Sequence, residues 1–247
     1  SLRRIGENRI GRTTHLLSGG DRFFRQALAD DLATAANVRT APVLLARGTA
    51  THSGNRVAAN QVQLVGVTEA FWKFAPGSTT GSTSAAPSLT GSSIAINATL
   101  ARRLGAAVGD TLVVRLQKPG ILAGNAPVAG AEATLVSIRC TVAAIVDEAA
   151  FGRFSLEATQ VSSPSVFLPI ALLQENLAQP ARVNVLLIEA SDTATTEAEL
   201  AAALSRSVRL ADYGLSLKWV DRAAAFELTS DRIFLDPELA DAAVRAQ

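Results

Sequence analysis

The sequence predicts an α+β fold with its sheet and helices in two layers. Stretches in which every second residue is apolar, as in strands, lie between stretches with an apolar residue at every third or fourth position, as in helices. The two kinds alternate irregularly, and a hairpin stands among β–α units, which favours α+β over a regular β–α repeat. At 247 residues, of which 48% are hydrophobic and 18% charged, the chain is long enough to bury a sizeable core.

The amino-terminal third predicts one helix followed by a hairpin. Asp21 is placed to cap a helix over residues 21–36. This helix carries apolar residues four apart: Phe24, Leu28 and Leu32. Strand-like runs follow at residues 43–51 and 56–67, and they are joined through Ser53-Gly54-Asn55. Because these three residue types tolerate the backbone of a tight turn, a hairpin is expected here.

A short aromatic helix and a loop are predicted next. Thr68 is placed to cap the helix, and three aromatic residues follow that are expected to pack on the hairpin: Phe71, Trp72 and Phe74. Residues 76–93 consist almost only of Gly, Ser, Thr, Pro and Ala. Such small side chains bury too little surface to offset the entropy of ordering, so an exposed, mobile loop is expected.

The middle of the chain continues with a capped helix and two longer strands. A strand at residues 93–96 leads to Asn97, a good N-cap for a helix at 98–104 that Gly105 ends. Alternating apolar residues predict strands at 111–116 and 135–146, the second with Cys140 on its buried face. A second loop rich in Gly and Pro covers residues 119–130. The two loops indicate that the middle of the chain is a separate subdomain.

The last third predicts a further mixture of strands and helices. The expected elements are a strand at 165–169, a helix at 170–177, a strand at 183–189, a helix from Asp192 or Thr193 to residue 211, a strand at 215–219, one or two strands within 226–235, and a final helix opened by Asp236-Pro237-Glu238. The strand at 183–189 is almost entirely β-branched or Leu, as expected of a strand buried on both faces.

Composition excludes several classes of function. The 23 basic and 22 acidic residues nearly cancel, so the chain lacks the positive field that binds nucleic acid. The single cysteine excludes an internal disulfide and a Cys-rich zinc site. No stretch approaches the ~20 apolar residues that span a bilayer, and no signal peptide is visible. The absence of Met, even at position 1, indicates a piece of a larger protein.

No residue pattern predicts a catalytic, cofactor or metal site. The two histidines, His15 and His52, lie far apart in the sequence and lack partners at metal-ligand spacing. Residues 77–81 (GSTTG) have the glycines of a nucleophile elbow but Thr in place of Ser. The acidic pairs Asp30-Asp31 and Asp147-Glu148 are too few to hold a cation, since adjacent side chains diverge. The sequence also lacks the glycine-rich motifs of nucleotide-binding loops. Together these observations favour a binding or mechanical module over an enzyme.

Two groups of arginines stand out in the sequence. Arg102-Arg103 falls on the exposed side of its predicted helix. The first twelve residues contain four arginines that are able to rest on phospholipid headgroups, or to belong to a solvated tail: Arg3, Arg4, Arg9 and Arg12.

Four segments of the chain occur in an order typical of a known family: residues 63–72 (QLVGVTEAFW), 93–112 (SIAINATLARRLGAAVGDTL), 140–147 (CTVAAIVD) and 165–174 (SVFLPIALLQ). Together they resemble the extracytoplasmic domain of ABC-transporter permeases of the MacB/LolC/FtsX-like group. Residues 20–24 and 152–156 are similar to the YbbP-like branch. The sequence departs from the group's pattern at Ala144, where Gly is usual, and in the long Gly/Ser insert after Phe74.

The resemblance implies a domain of two subdomains that catalyses nothing and holds no cofactor. Residues 1–67 and 182–247 would form a porter-like α/β part, and residues 68–181 an inserted, mostly-β, sabre-like part. It also implies flanking membrane helices in an inner-membrane parent, a periplasmic position for this piece, a cytoplasmic ABC ATPase as partner and a possible homodimer. The cargo would be a lipoprotein, a lipid or a peptide, and no site residue carries over.

Two alternatives remain open at the level of sequence. A secreted hydrolase would enclose His15 or His52 in a deep pocket with a carboxylate and a hydroxyl. A free-standing binding or scaffold module would bind its partner without any membrane neighbour.

Overall fold

The computed structural model describes residues 9–76, 86–118, 135–156, 162–190, 196–223 and 225–230. The strands are β1 (His15–Ser18), β2 (Phe24–Arg25), β3 (Arg39–His52), β4 (Ala58–Val67), β5 (Ser93–Asn97), β6 (Thr111–Gln117), β7 (Leu135–Val146), β8 (Ser165–Pro169), β9 (Arg182–Val183), β10 (Val185–Glu189), β11 (Leu215–Val220) and β12 (Ala225–Ser230). The helices are α1 (Leu28–Ala36), α2 (Glu69–Trp72), α3 (Ala98–Leu104), α4 (Ile170–Leu177) and α5 (Glu197–Ser207), with 3-10 turns at Leu210–Tyr213 and Asp221–Ala223. The predicted α+β class is confirmed.

Eight strands form one sheet in the order β1-β10-β3-β4-β8-β5-β7-β6. The β4–β8 and β5–β7 pairs are parallel, and the other neighbours are antiparallel. β6 also pairs with β3, so six of the strands close into a ring. The closure depends on the length of β3, whose first residues pair with β10 and whose last residues, from Gly48 onward, pair with β6. Gly48 allows this because a Cβ there would overlap the Arg115 carbonyl oxygen.

Apolar side chains cover both faces of the sheet. The larger core joins one face to helices α1, α3, α4 and α5, and the smaller one lies on the opposite face beneath α2 and residues 147–156. β10 contributes to both, with Leu186 and Ile188 in the larger core and Val185 and Leu187 in the smaller. The prediction of a strand buried on both faces is therefore confirmed.

Several local predictions are confirmed residue by residue. The β3–β4 hairpin has the predicted turn. The Asn97 side chain accepts the Leu100 N–H at 2.9 Å and caps α3, which Gly105 ends with φ at 62°. Cys140 is fully buried in β7, where loss of hydration raises the pKa of its thiol to about 11.

The first predicted helix is wrong at its start. α1 begins at Leu28 rather than at residue 21, and Asp21 caps nothing in it. Phe24 and Arg25 instead form β2, which pairs with Val183 and Arg182 of β9. The apolar spacing of Phe24 fits a helix locally, but a distant strand completes its backbone hydrogen bonds.

Two further predictions of helix ends need correction. The helix expected from Asp192 or Thr193 to residue 211 is shorter: a capping box of Thr196 and Glu199 opens α5, which ends at Ser207 and is followed by a 3-10 turn. Thr68 occupies the N-cap position of α2, yet its side chain makes no capping bond, and its buried hydroxyl has no hydrogen-bond partner in the described part of the chain.

Other predictions fall outside the described residues. These are residues 77–85 of the loop at 76–93, which include the 77–81 segment, the loop at 119–130, the chain beyond Ser230, and Arg3 and Arg4. The predicted division into two subdomains stays a prediction. The strands of residues 1–67 and 182–247 occupy one half of the sheet order and those of 68–181 the other, while the sheet and the larger core run through both.

Candidate functional site

His52 closes the β3–β4 hairpin rather than serving a catalytic pocket. Its Nδ1 accepts the backbone N–H groups of Gly54 at 3.0 Å and Asn55 at 3.2 Å. Its Nε2 lies 3.1 Å from Oδ2 of Asp110, and the same oxygen accepts the Ala107 N–H at 2.7 Å. These bonds, first the one from Ala107 and then the one from His52, lower the pKa of Asp110. In the described part of the chain no hydroxyl group is hydrogen-bonded to this ring.

His15 lies elsewhere, on strand β1 at the edge of the sheet. Its Nδ1 is 3.0 Å from the hydroxyl of the neighbouring Thr14. The two histidines therefore serve separate strands and share no site. One cavity among the described residues is a shallow groove of about 380 Å³ between α1 and α5, and neither histidine lines it.

The two acidic pairs are held by local structure. Asp31 pairs with Arg25 at 3.2 Å, while Asp30 is exposed to solvent. Asp147 Oδ1 accepts the Ala150 N–H at 2.9 Å in a turn, and Glu148 forms an exposed ion pair with another side chain of that turn, Arg153. Over the described ranges, no three His, Cys, Asp or Glu side chains converge as a metal site would require.

An ion-pair cluster that the sequence does not predict ties the carboxy-terminal part of the fold to its beginning. Arg25 contacts Asp212 at 2.8 Å and Asp31 at 3.2 Å, and it donates to the Ser207 carbonyl at 3.3 Å. Asp212 also accepts the backbone N–H of Arg25 at 3.0 Å. The bonds to Asp212 are the main reason that the pKa of Arg25 is raised. Local spacing gives no sign of this cluster, because it predicts a helix at Arg25.

The feature best suited to function is the place where the amino-terminal segment joins the sheet, here called the amino-terminal anchor and defined by Gly11, Arg12, Thr14, Phe74 and Glu189. The Arg12 N–H donates to the Phe74 carbonyl at 2.9 Å. The Thr14 N–H donates to the Ile188 carbonyl of β10 at 2.9 Å, and its hydroxyl accepts the Ala190 N–H at 2.9 Å. The segment is thus fixed to the aromatic region and to β10 together.

Glu189 is the buried charge of this anchor. Its Oε1 accepts from Arg12 at 2.8 Å and from Arg39 at 2.7 Å, and its Oε2 has no hydrogen-bond partner among the residues that the structure describes. The residue is 7% exposed, at the end of an otherwise apolar strand. A buried carboxylate between two arginines joins the incoming segment to β3 and β10. In the sequence, Glu189 could be recognised only as a charged residue at the end of a strand that is apolar on both faces.

Gly11 fits this anchor because it lacks a side chain. Its φ is +57°, and a Cβ would overlap the Phe74 carbonyl oxygen and lie 2.9 Å from the ring of Phe151. The ring beneath it belongs to a buried aromatic cluster of Phe71, Trp72, Phe151, Phe154 and Phe167. Neighbouring rings in the cluster have centres 4.6 to 6.0 Å apart. Such packing gives the segment a rigid base.

Half of the amino-terminal arginine group, Arg3 and Arg4, lies outside the described residues. Arg12 is committed to Glu189, and Arg102 and Arg103 are exposed on α3 as expected. Among the described helices, none has the length and apolar character needed to cross a bilayer. The described geometry attaches the amino-terminal segment to the sheet.

Comparison with known proteins gives one family. The profile of the MacB-like periplasmic core domain matches residues 3–204. No curated protein sequence matches the chain.

Three solved structures have a similar arrangement. The periplasmic region of MacB from Actinobacillus actinomycetemcomitans matches over 98% of this chain and 96% of its own, at 10% identity and a TM-score of 0.49. The extracellular domain of the noncanonic ABC-type transporter YknZ from Gram-positive bacteria matches over 79% and 95%, at 11% identity and a TM-score of 0.48. A domain of a putative permease protein from Porphyromonas gingivalis matches over 94% and 86%, at 15% identity and a TM-score of 0.44.

Proposed function

Because the chain belongs to the family of MacB-like periplasmic core domains, we propose that it transmits ATP-driven motion within an ABC-transporter permease to export or release a substrate. The match over residues 3–204 carries this proposal. The family consists of transporter periplasmic domains rather than enzymes, which removes the secreted hydrolase. The free-standing scaffold module is the alternative that the test below excludes or supports.

The anchor supplies the physical route for such motion. A pull on the segment before Gly11 acts on backbone bonds to Phe74 and Ile188 and on the Arg12–Glu189 ion pair. These contacts lie on a continuous sheet with a close-packed core on both faces, and packed cores pass displacement on rather than absorbing it. The motion would therefore reach the whole sheet.

The finer parts of the proposal follow from the resemblance. The ATPase would be a cytoplasmic subunit, and membrane helices of an inner-membrane parent would flank this domain. The cargo would be a lipoprotein, a lipid or a peptide, and two copies of the permease would assemble in the transporter. Assignment to the YbbP-like branch and the division into residues 1–67 with 182–247 and 68–181 belong to the same proposal.

Hydrogen exchange in the complete permease with its ATPase tests the proposal. Cycling with ATP should change exchange in residues 10–18 and in β10, and an ATPase unable to hydrolyse ATP should abolish the change. Glu189→Gln should weaken the response in β10, whereas Glu148→Gln, in an exposed ion pair, should leave it intact. An unresponsive domain, or a parent gene without flanking apolar spans and a neighbouring ATPase, would favour the scaffold module.

A further inference from the structure

Strands β11 and β12 form a two-stranded hairpin that presents an apolar face to solvent. In the pairing register, Leu217 lies opposite Leu228 and Trp219 opposite Phe226. Directly opposed residues share a face, and so do alternate residues of one strand, so all four side chains lie on the same side. Leu217, Leu228, Trp219 and Phe226 are 49%, 39%, 52% and 66% exposed respectively. This group is called the hairpin face below.

The other side of the hairpin is polar and also exposed. The hydroxyls of Ser216 and Thr229 lie 2.6 Å apart, and Lys218 stands opposite Glu227. At the base of the hairpin Leu215 is buried, with 6% exposure. The hairpin therefore projects from the domain with water on both sides, although two strands alone are barely stable without a covered apolar face.

We propose that the hairpin face inserts into the outer surface of the lipid bilayer beside the domain. The inference rests on the proposed function, which sets the domain next to a membrane. The hairpin lies beyond residues 3–204, the span to which the family profile matches.

The shape of the hairpin suits shallow insertion. Trp219 and Phe226 pack edge to face with ring centres 5.0 Å apart, next to the last residue pair before the connecting turn. Trp219 lies four residues along the strand from the buried Leu215, a reach of about 13 Å. Amphipathic elements bury their apolar side about 5–10 Å into the boundary between headgroups and acyl chains, where Trp is favoured. The reach of the hairpin is sufficient for that depth.

Charge and area favour a bilayer over a second copy of the chain. The hairpin face has no charged residue, and at the polar side and the turn two basic residues balance two acidic ones: Lys218, Arg222, Asp221 and Glu227. The exposed apolar area is on the order of 400 Å². Two such faces would bury about 800 Å², below the roughly 1,200 Å² of a stable interface. Lipid has no such minimum.

The two tryptophans of the chain permit a direct test, since Trp72 is buried and Trp219 is on the hairpin face. In the 247-residue chain carrying Trp72→Phe, Trp219 is the single indole. Phosphatidylcholine vesicles should shift its emission to shorter wavelength, and brominated lipid should quench it. Because the hairpin charges cancel, adding phosphatidylglycerol or salt should change the binding less than twofold.

Co-sedimentation of the unmodified chain with the same vesicles gives a second measurement that does not depend on Trp72→Phe folding. The pair Trp219→Ser and Phe226→Ser should lower the bound fraction at least fivefold. The matched pair Val108→Ser and Leu135→Ser removes side chains that are 60% and 70% exposed away from the hairpin, and it should leave binding unchanged.

Three results would overturn the proposal. If the emission wavelength of Trp219 stays the same when vesicles are added, lipid does not cover the hairpin face. If the Trp219 emission wavelength is already short without lipid, and becomes longer when the chain is cut after Ser230, then residues 231–247 cover the hairpin face. If the emission wavelength becomes shorter as the protein concentration rises, a second copy of the chain covers the hairpin face. Vesicle binding needs no ATPase, so its failure alongside an intact ATP response in hydrogen exchange would leave the proposed function standing.

Discussion

Phe71 and Phe154 pack edge to face with ring centres 5.1 Å apart, and Trp219 and Phe226 do the same at 5.0 Å. The two pairs differ in their surroundings. Phe71 is fully buried in the cluster that supports the amino-terminal anchor, whereas Phe226 is 66% exposed on the hairpin face. The geometry of a ring pair therefore does not reveal its contribution to stability. Burial decides it, because removal of apolar surface from water provides most of the free energy.

The largest expected effect tests the buried member of this comparison. Phe71→Ala removes a ring that contacts four other aromatic side chains, and it should lower the free energy of unfolding by about 4 kcal/mol. Urea unfolding followed by circular dichroism measures the change. A loss below about 1 kcal/mol would mean that the cluster is loosely packed and that the anchor lacks a rigid base.

Gly11→Ala tests whether that base is tight at the point of attachment. The added methyl group would overlap the Phe74 carbonyl oxygen, and the backbone would hold a positive φ, so a loss of about 2 kcal/mol is expected. Gly20→Ala is the matched control, because Gly20 has φ at +59° with open space around its Cβ position. Equal losses in the two variants would assign the effect to backbone conformation alone.

Glu189→Gln tests the charged part of the anchor while keeping its shape. The neutral amide still accepts a hydrogen bond but removes the negative charge that Glu189 presents to Arg12 and Arg39, and the loss should be about 1.5 kcal/mol. Differential scanning calorimetry at low and high salt measures it. Both arginines are partly exposed, so salt should reduce the difference between the variant and the original chain. A variant as stable as the original chain would show that the charge of Glu189 does not stabilise the anchor.

The smallest effect belongs to the exposed pair. Phe226→Ala should change the free energy of unfolding by less than about 0.5 kcal/mol, since its ring already faces water. The same urea titration as for Phe71→Ala gives the comparison directly. A loss above about 2 kcal/mol would show that something covers the hairpin face in solution.

Sequence reasoning succeeds where the deciding interactions are local. The Asn97 cap, the Gly105 stop and the β3–β4 turn each depend on residues within a few positions of one another, so the residue types alone predict them. It fails at β2, where Phe24 has helical spacing but pairs with Val183. No local pattern records a partner so far along the chain, and the tertiary pairing overrides the local preference.

The candidate site shows the same limit. Apolar periodicity correctly assigns Cys140 and the aromatic residues after Thr68 to the core, because it reports which side chains leave water. Apolar periodicity does not predict the anchor, because its members come from three separate parts of the chain: Gly11 with Arg12, Phe74, and Glu189.

What the sequence determined by itself was the α+β class, most element positions and, through four ordered motifs, the family. The tertiary structure decided how β3 closes the ring of strands, which charges Glu189 binds, and that Leu217, Trp219, Phe226 and Leu228 are exposed on one face of the hairpin. The physical reason is the range of the interactions. Turns, caps and periodicity are set by neighbours in sequence, whereas burial, ion pairing and strand closure depend on which distant segments the fold brings together.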